Sequence, residues 1–148
     1  SVLSGMGGRL FIELRDKKSL AYSVTSFFTP GLDYGYFGIY IGCSPSKKLE
    51  SINSINTELE KLLNNGISES EIENAKNSLI GKNDISLQRN AAINSRISIP
   101  YLYGLDPNEP FSFANKIRSI NKAEVDFVIQ KFLDKTNFVT VSVDPNWF

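Results

Sequence analysis

The sequence predicts an α+β domain: a mainly antiparallel sheet with helices packed on one of its faces. Strand-like and helix-like runs are grouped along the chain as helix, hairpin, several helices and strand, without the regular alternation that a parallel sheet needs. Two aromatic and β-branched runs, residues 20–29 and 34–43, flank Pro30, Gly31 and Asp33, the pattern of a hairpin around a turn. Helix ends are marked by capping chemistry: Ser68 with Glu71, Asn121 with Glu124, and Gly66 after an apolar stripe.

The first helix is expected from about Gly8 to Lys17, with Leu10, Phe11 and Leu14 as its apolar stripe and Glu13 paired to Lys17 four residues on. The strands LAYSVTSFFT and YGYFGIYIGC follow. On the second, Gly38 and Gly42 share a face with Tyr36 and Tyr40, and two missing side chains on one face predict a helix lying close against it. Ser46 is placed as the N-cap of a helix whose stripe is Ile52, Ile55, Leu59, Leu62 and Leu63 and which Gly66 closes. The helix launched at Ser68 carries Ile72, Ala75 and Leu79 and can continue past Gly81 through Ile93 and Ile97, bent near Gly81 and stopped by Pro100. A turn-rich connection over residues 101–110 and a short helix over 111–118 come next. The Asn121 box opens the last helix, with Val125, Val128, Ile129, Phe132 and Leu133 on one face, and Phe138 to Val143 alternates as a final strand. Three strands beneath so many helices make a thin sheet. A further strand is expected from a partner or, in preference, from chain upstream of Ser1, because Gly-Met-Gly-Gly so near the terminus reads as a connection.

The 148 residues suit a single domain, 1–148, able to bury about two-thirds of its unfolded surface. Sixteen basic and sixteen acidic residues cancel, which removes the bulk electrostatic case for nucleic acid or an anionic membrane. No apolar stretch approaches the ~20 residues of a membrane span, and no signal peptide is visible, so the compartment is left unknown. Cys43 is the only cysteine, which excludes an internal disulfide and is read as a small buried apolar residue. There is no histidine, which excludes Ser-His-Asp and Cys-His machinery and every zinc motif that needs imidazole.

The glycines Gly5, Gly7 and Gly8 before a helix resemble a phosphate cradle, but Leu10 stands where a dinucleotide fingerprint needs its third glycine. Glu69, Glu71 and Glu73 sit at a helix start, where they complement its dipole. Tyr34, Tyr36, Phe37 and Tyr40 read as sheet surface and core, with no basic stripe to make them a base-stacking platform. Arg15 and Tyr22 lie seven residues apart across a helix–turn–strand corner that can aim a guanidinium and a phenol at one carbonyl oxygen. Read from the residues alone, Arg15 paired with Asp16 or a neighbour, and Tyr22 as an ordinary strand residue, is the simpler account.

The run GGRLFIELRDKKSLAYSV resembles the hallmark of the carboxy-terminal-type domain of the insulinase/pitrilysin family of zinc peptidases, in which a glycine-rich turn leads into RLF-x-x-LR and then L-A-Y. Asp33 to Cys43, ISESEIENAKNSLIG and INKAEVDFVIQKFL are similar to later parts of the same domain. The resemblance implies an insulinase/mitochondrial-processing-peptidase-like fold and a non-zinc, substrate-binding domain, since the H-x-x-E-H zinc motif needs histidine. It implies no metal or cofactor in this chain, zinc in a partner domain or subunit of the same family, and a peptide substrate. Arg15 and Tyr22 match a family pair in type and spacing, and their implied role is to hold the substrate carbonyl and the oxyanion formed from it. The alternative it implies is a catalytically inactive scaffold or assembly subunit. Family domains carry a further strand and helix before this motif, so an N-terminally truncated domain is expected, with an unpaired sheet edge open to association with a second copy.

Overall fold

The fold begins with a close approach that only glycine permits. A Cβ at Gly8 would lie 2.7 Å from the Leu3 carbonyl carbon and oxygen. In the computed structural model, which describes residues 1–31, 33–133 and 138–145, that contact lets the N-terminal segment cap the first helix. The Arg9 N–H donates to the Val2 carbonyl at 3.1 Å and the Leu10 N–H to the Leu3 carbonyl at 3.3 Å. The first helix is a π-helix, Phe11–Lys17. Strands β1 (Ala21–Thr29) and β2 (Tyr36–Cys43) follow as the expected antiparallel hairpin. A 3₁₀ turn (Pro45–Lys47) then leads into α1 (Lys48–Asn65), α2 (Glu69–Ser86), α3 (Asn90–Leu102), α4 (Glu109–Ser119) and α5 (Lys122–Phe132).

One apolar cluster ties these elements together. Leu10 at the N-cap of the π-helix and Leu14 within it meet Leu20 just before β1, Val24 of β1, Leu59 and Leu62 of α1, Ile72 of α2 and Ile129 of α5. Both capping boxes form. Ser68 Oγ accepts from the Glu71 N–H while the Glu71 carboxylate accepts from the Ser68 N–H, and Asn121 and Glu124 do the same at α5. Gly66 closes α1 at φ +66°, its N–H donating to the Leu62 carbonyl. Among the described residues no helix is long and apolar enough to cross a membrane.

The expected sheet-dominated α+β layer does not form. Among the described residues the protein is mostly helical, and its only sheet is the two-stranded β1–β2 hairpin. Phe138 to Val143 is not a strand, and Val139, Val141 and Val143 are exposed. Alternation records a preference for a pleated, half-buried surface, but a strand also needs a neighbour's N–H and C=O groups. With so small a sheet, the helices pack on one another, α2 on α4 and α1 on α5, as well as on the hairpin.

Three local expectations change for related reasons. The face carrying Gly38 is not covered by a helix: a Cβ there would meet the Phe27 ring at 2.4 Å, and Ile39 and Ile41, on the opposite face, pack toward the core. The long helix expected to bend at Gly81 is two helices broken at residues 87–89, where Arg96 of α3 reaches back to Asn83 and to Ser86 Oγ of α2. Pro100 does not stop α3, which runs on to Leu102. Proline removes its own N–H, and here the last turn closes through the Tyr103 N–H on the Pro100 carbonyl at 3.0 Å.

Arg9 clamps the π-helix to the α1–α2 junction. Its Nη2 donates to Glu71 Oε2 at 2.9 Å and to the Gly66 carbonyl at 3.1 Å. This guanidinium, with the Ser68 hydroxyl and N–H, pulls the Glu71 carboxyl from 4.5 down to about 2. A folded-state pKa below the unfolded one contributes stability that is present above the unfolded value and is lost as pH falls through the folded one. Stability should therefore drop between pH 4.5 and about 2, and Glu71→Gln should flatten that part of a Tm-against-pH curve. At neutral pH the substitution should cost on the order of 1 kcal/mol, discounted for partial exposure. An unchanged acid limb in Glu71→Gln would rule the clamp out as a source of pH dependence.

Candidate functional site

The site is built where three departures from regular backbone meet. Leu10 at the N-cap of the π-helix and Leu14 within it are completely buried, each at 0 % exposure, and that anchorage turns Arg15 outward. Single-turn π segments of this kind are rare and occur often at functional sites. The corner after the helix passes through Ser19 at φ +52°, a left-handed conformation that is costly for a residue with a Cβ. It is held by the Ser19 N–H on the Arg15 carbonyl at 3.0 Å, the Leu20 N–H on the Leu14 carbonyl at 2.8 Å, and Lys47 Nζ on the Ser19 carbonyl at 2.7 Å.

The third departure is a β-bulge. Ala21 pairs with Cys43 and Ser23 with Gly42, so Tyr22 is the extra residue opposite none. Bulges re-aim side chains at strand ends, and here Tyr22 stands 88 % exposed. The Arg15 guanidinium carbon lies 4.6 Å from the centroid of the Phe11 ring and 5.8 Å from that of the Tyr22 ring, within range of cation–π attraction to both. Arg15 and Tyr22 thus share one open cleft of 680 Å³, lined also by Ser19, Tyr40, Cys43 and Lys47. The simpler pairing of Arg15 with Asp16 is absent, and no carboxylate among the described residues forms an ion pair with Arg15.

Residues 2–79 match the family described as the peptidase M16 inactive domain. The chain belongs to that family. This is the inactive, carboxy-terminal-type domain of the insulinase/pitrilysin group that the GGRLF-to-AYSV run resembles. The M16 inactive domain is similar to an uncharacterized zinc protease of Streptomyces coelicolor, 38 % identical over 93 residues that cover 63 % of this chain and 20 % of that protein. It is also similar to the uncharacterized zinc protease YmxG of Bacillus subtilis, 35 % identical over 66 % of this chain and 24 % of that one. The chain therefore spans about a fifth to a quarter of the length of these relatives. Among solved structures, a peptidase M16 inactive domain from Pseudomonas fluorescens superposes with a TM-score of 0.76 at 26 % identity, covering 86 % of this chain and 30 % of that one. An inactive peptidase domain from Bordetella parapertussis gives 0.77 at 20 % identity, over 90 % and 73 % of the two chains, and shares the fold.

The other sequence candidates in this M16 inactive domain have structural duties. The N–H groups of Gly8, Arg9 and Leu10 bond to carbonyls of the N-terminal segment and are not turned to a phosphate. Glu71 caps α2 and binds Arg9, and Glu73 pairs with Lys76 at 2.8 Å. No group of three or more His, Cys, Asp or Glu among the described residues is placed to hold a metal ion. Tyr36 and Tyr40 are exposed sheet surface. Cys43, expected buried, is half-buried on the cleft wall. Ser19, Tyr40 and Lys47 were not legible as site residues. The hairpin register is the signal that finds them, since Ala21 opposite Cys43 brings the chain after β2 beside the corner before β1.

Proposed function

We propose that this chain is the non-catalytic half of a zinc metallopeptidase, a domain that assembles against a zinc-bearing domain or subunit of the same family and forms one wall of its substrate chamber. The observation that carries the reading is the absence of histidine from a chain whose family is described as inactive and whose relatives are described as zinc proteases. With no histidine in the sequence and no group of three or more Cys, Asp or Glu placed to hold a metal ion among the described residues, hydrolysis is assigned to the partner. Its peptide substrate, like the assembly itself, is part of the proposal. The chain by itself should hydrolyse no unstructured peptide with or without added zinc, and cleavage should be seen only once the zinc-bearing partner is mixed with it. Metal-dependent cleavage by the chain alone would overturn the reading.

A second reading adds chemistry to the scaffold. Arg15 and Tyr22 line one cleft, with the guanidinium free of any carboxylate of the described residues and the phenol lifted out by a bulge. Such donors suit a peptide carbonyl and the oxyanion it becomes. A domain serving only as scaffold has no need to keep an arginine without an ion pair among the described residues beside an exposed tyrosine.

A further inference from the structure

The Arg15–Tyr22 cleft is electrically one-sided. In a chain whose 16 basic and 16 acidic residues cancel, the charged residues lining this cleft are both cations, Arg15 and Lys47. Neither forms an ion pair with a carboxylate of the described residues. Ser19, Tyr22 and Tyr40 add hydroxyl groups to the same lining.

Lys47 is held in place. It ends the 3₁₀ turn after β2, is half-buried, and directs Nζ at the Ser19 carbonyl at 2.7 Å. An ammonium has three N–H donors, so two stay available to the cleft. Arg15 lines the same cleft, its guanidinium carbon 4.6 Å from the Phe11 ring centroid and 5.8 Å from that of Tyr22. A peptide entering this cleft would have two separate cations within it, Arg15 and Lys47.

We propose that this cleft selects a peptide carboxylate, with Lys47 as the residue that sets the preference. The proposal rests on the reading that peptide occupies the Arg15–Tyr22 cleft. A carboxylate accepts charge-assisted hydrogen bonds from Lys47, whereas a glutamine offers only a neutral amide oxygen. Because the cleft is open, the discrimination is modest and salt-sensitive, roughly three- to fivefold in affinity at low ionic strength.

The test is calorimetric titration of this chain, assembled with its zinc-bearing partner and kept metal-free, with three N-acetylated heptapeptides: one with a central Glu and an amidated C-terminus, one with a central Gln and the same amide, and one with a central Gln and a free C-terminal carboxylate. One carboxylate peptide should bind roughly three- to fivefold more tightly than the neutral peptide, and which one does so tells a side chain from a terminus. The preference should fade in high salt, vanish in Lys47→Gln and persist in Lys47→Arg, which keeps the charge and guards against a merely structural effect. Equal binding of all three peptides, with Arg15→Gln weakening each alike, would sink the carboxylate preference and leave the peptide site standing. A preference that survives Lys47→Gln would likewise sink it. No binding of any peptide would bring down both readings.

Discussion

Tyr22→Phe, introduced into the peptidase assembled from this chain and its zinc-bearing partner, should lower kcat on the order of 100-fold while changing KM little. The substitution removes one hydroxyl and keeps the ring that the Arg15 guanidinium faces at 5.8 Å, so the corner should keep its shape. A donor that meets the oxyanion more strongly than the ground-state carbonyl acts on kcat. Arg15→Ala should produce a loss of the same order, and Arg15→Lys should recover little of it, because an ammonium lacks the planar fork. Steady-state kinetics on an unstructured peptide decides the matter. Wild-type kcat in both Tyr22→Phe and Arg15→Ala would leave the domain a scaffold.

Leu14→Ala should be the most damaging of the core substitutions near the site, costing about 2–5 kcal/mol of a total that is typically about 5–15. Leu14 is fully buried where the π-helix meets α1 and the hairpin, and its carbonyl accepts the Leu20 N–H that closes the corner. A cavity there loosens the element that turns Arg15 outward. The neighbouring, exposed Asp16→Ala should stay within about 0.5 kcal/mol. Urea unfolding of the two variants measures the contrast, and a loss below about 1 kcal/mol for Leu14→Ala would mean that the π-helix is not anchored through this residue.

Much of the local structure was legible because its causes are local. A Ser or Asn three residues ahead of a Glu is itself the capping box, and both boxes form at Ser68 and Asn121. The 20–43 hairpin follows from two β-rich runs around Pro30-Gly31, and the Glu13–Lys17 pair from their spacing. The misreadings arose where a neighbour decides. Phe138 to Val143 has the alternation of a strand but joins no ladder among the described residues, while the Gly38 face is filled by the Phe27 ring in place of a helix.

The candidate site divides along the same line. The residue types and spacing of Arg15 and Tyr22, the lack of histidine and the family motif are properties of the chain as written. They determined which side chains were available and which chemistry was not. Only the tertiary structure decided how those side chains are presented, through the π turn, the left-handed Ser19, the bulge that leaves Tyr22 unpaired, and Lys47 entering from the far side of the hairpin. The first three are backbone states that are costly taken alone, and the corner is held by the Arg15 and Leu14 carbonyls, by Lys47 and by packing of Leu10 and Leu14 in the core. The motif contains Leu10, Leu14 and Arg15, but Lys47 and the α1, α2 and α5 residues that pack on it lie outside it.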